Sequence, residues 1–259
     1  MVVTIVTVQQ MAERNTEMMI DIHCHILPHI DDGAENINEA KVMMDMERSS
    51  GVDAIYLTPH FHPEKVDVDS FLASREKAWQ ELGVSDRSVR MRLGAEVHYS
   101  ERLLSIDLRK LTLGDSDYLL LELPGTRYPA YVSQLVENMQ GRGLIPIFAH
   151  VERYAYFREE PALLKRLIEQ GALAQVNVQS LFDRRDKNFS MACLRHGMAQ
   201  LIASDAHDIT KRRPCMELEQ KLPEELRDLH NVFSNAIWEN EMPPYLRPTA
   251  MKKTLFGYR

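Results

Sequence analysis

Four short sequences carry histidine at or just past the end of an apolar run. They are Asp21-Ile-His23-Cys-His25, Thr58-Pro-His60, Ala149-His150-Val151 and Ser204-Asp205-Ala-His207. Asp32, Glu96 and Glu122 occupy the same kind of place. A neutral imidazole at a strand end is a ready metal ligand, and carboxylates beside it suit hard or borderline divalent ions. The pattern implies a polynuclear metal site and, with it, hydrolytic chemistry.

His23 and His25 are one residue apart, so in a strand both rings point to one face and can reach one ion. The bland alternative is a pair of core histidines bonded to backbone. Asp31-Asp32-Gly33 reads either as a turn or, in Asp32, as a further ligand; Asp32 is favoured. His60 lies nearer its strand end than His62 and has the better claim. Glu96 and Glu122 close the runs Arg92-Leu-Gly-Ala-Glu96 and Leu119-Leu-Leu-Glu122. A buried carboxylate is costly unless it is paired or metal-bound, so a salt bridge is the competing explanation for either one. His98 and Glu101, just beyond, read as surface residues.

Arg153 follows His150 by three residues and is expected to point over the site, where a planar guanidinium matches phosphate; the alternative is a salt bridge with Glu152. Asp205 and His207 repeat the alternate spacing of the first strand and are expected across the site from it. Arg212 and Arg213 precede Pro214 at a helix start, where backbone amides also favour anions. Thiol-based phosphate chemistry needs arginine six residues after cysteine. Counting from Cys24, Cys193 and Cys215 gives Ile30, Ala199 and Lys221, so none qualifies. Neither a GxSxG elbow nor a P-loop is present.

Seven apolar runs must position these groups: 19–24, 54–58, 91–97, 118–123, 145–149, 172–178 and 200–204. They show little polar alternation, as buried parallel strands do. Helical patterns lie between them. Asn36 with Glu39 forms a capping signature for a helix ending at Gly51, and 69–82 stops at Gly83. Runs 129–141 and 161–171 each open on proline and close on glycine. Weaker helices are expected at 189–196 and 214–222, and an amphipathic one at 224–239. Alternating strands and helices imply a parallel sheet. A doubly wound sheet would carry a glycine-rich loop after its first strand, where this chain has His23-Cys-His-Ile-Leu-Pro28. Polar candidates instead follow six of the seven strands, as on the top face of a closed barrel. The expected fold is α/β, a distorted seven-stranded (β/α) TIM-like barrel.

The 259 residues, 44% hydrophobic, suffice for one core. No linker divides them, so 19–259 reads as a single domain and 1–18 as an extension before a start at Met18 or Met19, or as an added edge strand. The apolar stretch 2–8 is too short to span a bilayer and lacks a basic signal-peptide start. A net charge of −7 argues against a nucleic-acid partner. Three cysteines without CxxC spacing fit a reducing cytoplasm.

Taken together, Asp21-Ile-His-Cys-His-Ile-Leu-Pro-His-Ile-Asp-Asp-Gly33, Thr58-Pro-His60, His150-Val-Glu-Arg-Tyr154, Gln175-Val-Asn-Val-Gln-Ser180 and Ser204-Asp-Ala-His207 resemble the PHP (polymerase and histidinol phosphatase) superfamily. The likeness is to its bacterial protein-tyrosine-phosphatase branch and covers about residues 19–250. It implies a PHP-fold barrel bearing three divalent ions, manganese foremost with iron or zinc as alternatives. It also implies a phosphotyrosine substrate on a bacterial kinase controlling capsule or exopolysaccharide synthesis. Carried over, the first metal takes His23, His25, Glu96 and Asp205. Glu96 bridges to a second held by Glu122 and His150, and the third takes Asp32, His60 and His207. Arg153 and Arg212 match phosphate-contacting arginines. The chain departs from the branch at His29, where glycine is expected, and at His62-Pro63. Competing readings are a small-molecule phosphatase such as one for histidinol phosphate, and a binding module for the kinase tail without hydrolysis. A full set of nine ligands argues against the latter.

Overall fold

Residues 18–83, 88–254 and 257–258 are described by the structure, a computed structural model. The expectations for 1–18 therefore fall, Met18 apart, outside the described residues. The apolar runs become parallel strands: β1 (Ile20–Cys24), β2 (Ala54–Leu57), β3 (His60–Phe61), β4 (Arg90–Leu93), β5 (Glu96–His98), β6 (Tyr118–Glu122), β7 (Ile145–Phe148), β8 (Leu173–Asn177) and β9 (Leu201–Ala203). β1, β2 and β4 form one sheet. β3, β5, β6, β7, β8 and β9, in that order, form another. A hairpin of β10 (Lys253–Thr254) and β11 (Gly257–Tyr258) lies apart from both.

The run expected at 91–97 is broken at Gly94-Ala95, and pairing resumes beyond the end expected at Thr58 as β3, after Pro59 interrupts the ladder because it has no N–H to give. The hydrogen bonding nevertheless carries across both breaks: Gly94 N donates to Leu57 O (2.8 Å) and Glu96 N to Pro59 O (3.0 Å). Beyond β9 the chain runs along β1. Asp205 N donates to His23 O and His25 N to Ala206 O, each at 2.8 Å, and Cys24 pairs in parallel with Ala206. Asp205 and His207 are thus beside the first strand's end, a correction to their expected position across from it.

The helices are α1 (Ile37–Ser49), α2 (Val68–Leu82), α3 (Val132–Gly141), α4 (Ala155–Glu159), α5 (Pro161–Glu169), α6 (Lys187–Arg195) and α7 (Glu224–Glu239). Asn36 caps α1 as its sequence suggests, accepting from Asn38 N and Glu39 N at 3.0 Å, while Glu39 reaches back to Glu35 N. The stretch 214–222 forms only a 3₁₀ segment, Met216–Lys221. α7 closes the end remote from the site. The Tyr56 and Tyr118 hydroxyls donate to Ile237 O (3.3 Å) and Glu241 O (2.6 Å), and Arg92 stacks over Trp238. His230 on α7 fastens β9 to β1: Nδ1 accepts from Ile202 N (3.1 Å), so Nε2 carries the proton and faces Ile20 O (3.2 Å). Burial pushes His230 down to about 4, which keeps it neutral in that role. No helix among the described residues is long and apolar enough to cross a membrane.

Candidate metal centre

All nine expected ligands meet in one connected cluster at the carboxyl ends of the strands. The parallel register sets the first contacts, placing His60 opposite Glu96 and His98 opposite Glu122. Glu96 is the hub. Its Oε2 has His23 Nε2 at 3.1 Å, His25 Nε2 at 3.2 Å and His60 Nδ1 at 3.0 Å, and its Oε1 has His150 Nε2 at 2.9 Å. Asp205 Oδ1 lies 3.4 Å from His23 and 3.7 Å from His25. Outward from the hub, Asp32 Oδ1 faces His60 Nε2 (3.3 Å) and His207 Nε2 (3.5 Å), and Glu122 Oε1 lies 3.8 Å from His150.

Three groups of these atoms are close enough to hold an ion each: His23, His25, Glu96 and Asp205; His25, Asp32, His60 and His207; and His60, Glu96 and Glu122. The first is the expected set. The second adds His25 to the expected third set. The third group brings His60 rather than His150 to the Glu96–Glu122 pair, although His150 remains bonded to Glu96.

The donor set fits divalent ions on its own geometry. Glu96 Oε2 has three imidazole nitrogens around it, yet none forms a proper hydrogen bond; the oxygen is buried and unsatisfied. His23 Nε2 and His25 Nε2 point at one another at 3.1 Å, an arrangement that neutral imidazoles satisfy only through a proton or a metal between them. His207 Nε2 and His60 Nδ1 are likewise buried without partners. Such convergent, unsatisfied donors are costly without a ligand. Backbone strain marks the same place. His150 (φ 33°) and Asp205 (φ 52°) hold left-handed conformations, of order 1–3 kcal/mol each for non-glycine residues. His29, standing where glycine was expected, also has φ 61°.

Electrostatics divide the histidines. Burial opposes charge on His23, His25, His60 and His207, but Glu96 and Asp205 raise His23, and Asp31 with Glu96 lifts His25 to about 10. His207 has no such compensation: burial and the neighbouring His25 hold it down at about 2, and burial lowers His60 as well. For Asp205, burial is outweighed by His23 and Arg153, which keep it ionised.

Both expected arginines reach the cluster. Arg153 Nη2 lies 2.5 Å from Asp205 Oδ2, which excludes the Glu152 salt bridge as its main partner. Arg212 Nη2 contacts Asp205 Oδ1 at 3.1 Å, and its Nη1 is 3.6 Å from Asp32. Arg213 turns away to Glu217 (2.8 Å).

Several supporting residues were not assigned from sequence. Gln175 Oε1 accepts from His150 N (2.8 Å) and faces His23 Nδ1 (3.3 Å). Its amide donates to Asn177, whose own amide donates to Asp205 Oδ2 (2.9 Å). Polar side chains at alternate positions of the apolar strand β8 were the available signal. His98, read as a surface residue, places Nδ1 2.9 Å from Glu122 Oε2. Asp31, read only as a turn former, is bonded to His25. Cys24 lies among the ligands in sequence but is buried against Tyr56 O, and burial pushes its thiol well up, which removes it as a nucleophile.

The parallel α/β framework and this donor set define a candidate polynuclear metal centre with cationic side chains at its mouth. The chain belongs to the CpsB/CapC family of capsular polysaccharide synthesis, whose model matches residues 19–228. It is 38% identical over 259 residues to tyrosine-protein phosphatase YwqE of Bacillus subtilis (strain 168), covering 93% of this chain and 100% of the relative. It is 29% identical over 215 residues to tyrosine-protein phosphatase CpsB of Streptococcus pneumoniae, covering 77% and 87%. A crystal structure from work on YwqE and CpsB, described there as unique metal-dependent tyrosine phosphatases, superposes with a TM-score of 0.81 at 30% identity, covering 90% of this chain and all of that one. The sequence resemblance therefore holds at the level of the family.

Proposed function

We propose that this chain is a metal-dependent protein-tyrosine phosphatase, hydrolysing phosphotyrosine on a bacterial tyrosine kinase that governs capsule or exopolysaccharide synthesis. The observation that carries the reading is Glu96: a fully buried carboxylate ringed by four imidazoles, one of its oxygens left without a hydrogen bond. His23, His25, Glu96 and Asp205 would hold one ion, Glu96 and Glu122 with His150 or His60 a second, and Asp32, His60 and His207 a third. Manganese is the favoured metal, with iron and zinc as alternatives. The framework is read as one domain over 19–259, a distorted seven-stranded barrel in which β2 with β3 and β4 with β5 act as single staves and the contacts of His23 and His25 with 205–206 close the ring. Three free, buried cysteines suit a reducing cytoplasm.

Bound ions would supply hydroxide-like water at neutral pH and draw charge from the phosphoryl oxygens. The chain's own residues do the rest. Arg153 and Arg212, both partly exposed, can swing from Asp205 to the non-bridging oxygens and offset the charge that shifts there in the transition state. Asp205, relieved of two guanidiniums, keeps Asn177 as a hydrogen-bond donor. Tyrosine leaves with a pKa of about 10, far below that of an alkyl alcohol, so the phenolate needs little protonation. The buried walls around Glu96 exclude bulk water from the ligands.

Metal-reconstituted turnover of a phosphotyrosine peptide against histidinol phosphate tests this. A clear preference for the peptide in kcat/KM is expected. Preference for histidinol phosphate would make the chain a small-molecule phosphatase, and peptide binding without turnover would make it a module for the kinase tail.

A further inference from the structure

We propose that Asp31 is a positioning residue that fixes the His25 imidazole for metal binding and ties that ligand to the strand bearing His60. The proposal rests on the metal-centre reading above. Asp31 and Asp32 are neighbours in sequence with opposite surroundings. Asp32 is largely exposed and turns its oxygens to His60, His207 and Arg212. Asp31 keeps only 6% of its side chain exposed, and its oxygens are fully used. Oδ2 accepts from His25 Nδ1 at 2.7 Å and from His60 N at 2.9 Å, while Oδ1 accepts from Gly33 N at 3.0 Å. One carboxylate thus spans two ligand-bearing segments 35 residues apart in sequence, from His25 to His60.

The loop that carries Asp31 is pressed against its target. A Cβ on Gly33 would lie 2.1 Å from His25 O, so only glycine allows the Asp-Asp-Gly turn to approach so closely. With Nδ1–H held by Asp31, His25 presents Nε2 to the centre, 3.1 Å from His23 Nε2 and 3.2 Å from Glu96. A carboxylate behind a ligating imidazole selects the tautomer, fixes the ring and raises its basicity. Three of the other ligand histidines lack this support: His23 Nδ1 meets the amide of Gln175, His207 Nδ1 meets the Asp205 carbonyl, and His150 Nδ1 has no hydrogen-bond partner. His25 also stacks on His207 (ring centroids 3.7 Å apart), so its orientation is passed to the outer group of ligands.

Asp31→Asn leaves a single acceptor oxygen, which can serve either Gly33 N or the His25–His60 pair but not both, and it removes the negative charge behind His25. Zinc, which is diamagnetic, serves as the probe, with affinity from chelator competition and the tautomer from long-range proton–nitrogen spectra of histidine-labelled protein. The variant is expected to fold but to melt below wild type when metal-free, since His25 loses its charged partner, to bind zinc about 10–100-fold more weakly, and to lose the far-downfield Nδ1 proton of His25. Wild-type zinc affinity with an unchanged His25 spectrum would overturn the proposal. Should the variant fail to fold, the zinc-loaded wild type decides alone: His25 protonated on Nδ1 supports the role, and His25 bound through Nδ1 contradicts it. A wild type that takes up no zinc overturns the metal-centre reading first, and this proposal with it.

Discussion

His23, His25, Glu96 and Asp205 are sealed from solvent, whereas Asp32, Arg153 and Arg212 on the same centre keep 64%, 41% and 35% of their side chains exposed. The sealed group sits on or against strands and is cross-braced by Gln175, Asn177 and Asp31. The open group sits on the loops that follow, and its partners are other charged side chains that water and substrate can displace. The contrast separates two tasks. Preorganised ligands need a rigid wall, while groups that receive a phosphoryl oxygen must be free to trade one anion for another.

The largest effect should come from the sealed side. Glu96→Gln removes the hub from every neighbouring imidazole, so phosphatase activity is expected to fall to background with loss of bound metal by elemental analysis. Retained metal and turnover would mean that the hub is only a salt-bridge centre. Next is the open side: Arg153→Ala should keep its metal and its melting temperature while kcat/KM for a phosphotyrosine peptide drops by roughly 10²–10³-fold, the range for one preorganised charge-stabilising donor. Near-normal turnover would make Arg153 structural and erase the distinction.

A smaller, graded effect follows from protonation. In metal-free protein burial opposes charge on His25, yet Asp31 and Glu96 raise it to about 10, so its contribution to stability is full below its ordinary value of 6.5 and fades as pH approaches 10. An ion must displace that proton, so affinity at the sealed group should climb up to tenfold per pH unit for each proton released between pH 6.5 and 8.5. His207, held at about 2, is already neutral there, and the outer group should respond less to pH. Calorimetry in buffers of differing ionisation enthalpy counts the protons; equal release at both positions would remove the electrostatic contrast. Smallest of all should be Cys24→Ser. Its thiol is buried and donates to Tyr56 O, so turnover is expected within about threefold of wild type, well under the 1.4 kcal/mol that a tenfold change requires. A collapse of activity with metal and fold intact would reinstate the thiol.

The sealed ligands were legible because each interrupts an apolar run: Glu96 after Leu93-Gly-Ala, His150 after Ile147-Phe-Ala, His23 and His25 at alternate positions. Their supports were less so. Asp31 gains its meaning from His60, and His98 from the register that sets it opposite Glu122, and neither pairing exists before the chain folds. Gln175 and Asn177 carried the same alternate-position signal as His23 and His25, but amides in a strand have many uses. Among the elements, glycine and proline located most ends, with α2 stopping at Gly83 in a left-handed turn. Pro129 misplaced the start of α3, which begins at Val132, and the strand that resumes at His60 beyond Pro59 was not read from the sequence.

The central claim, that this cluster hydrolyses phosphotyrosine only when loaded with metal, is tested most directly by assaying one preparation before and after exhaustive chelation. Metal content is measured on the same samples. The expected result is no turnover of phosphotyrosine peptide in the chelated protein and recovery on adding manganese, with at least two ions bound per chain. Full turnover by protein shown to contain no metal would contradict it.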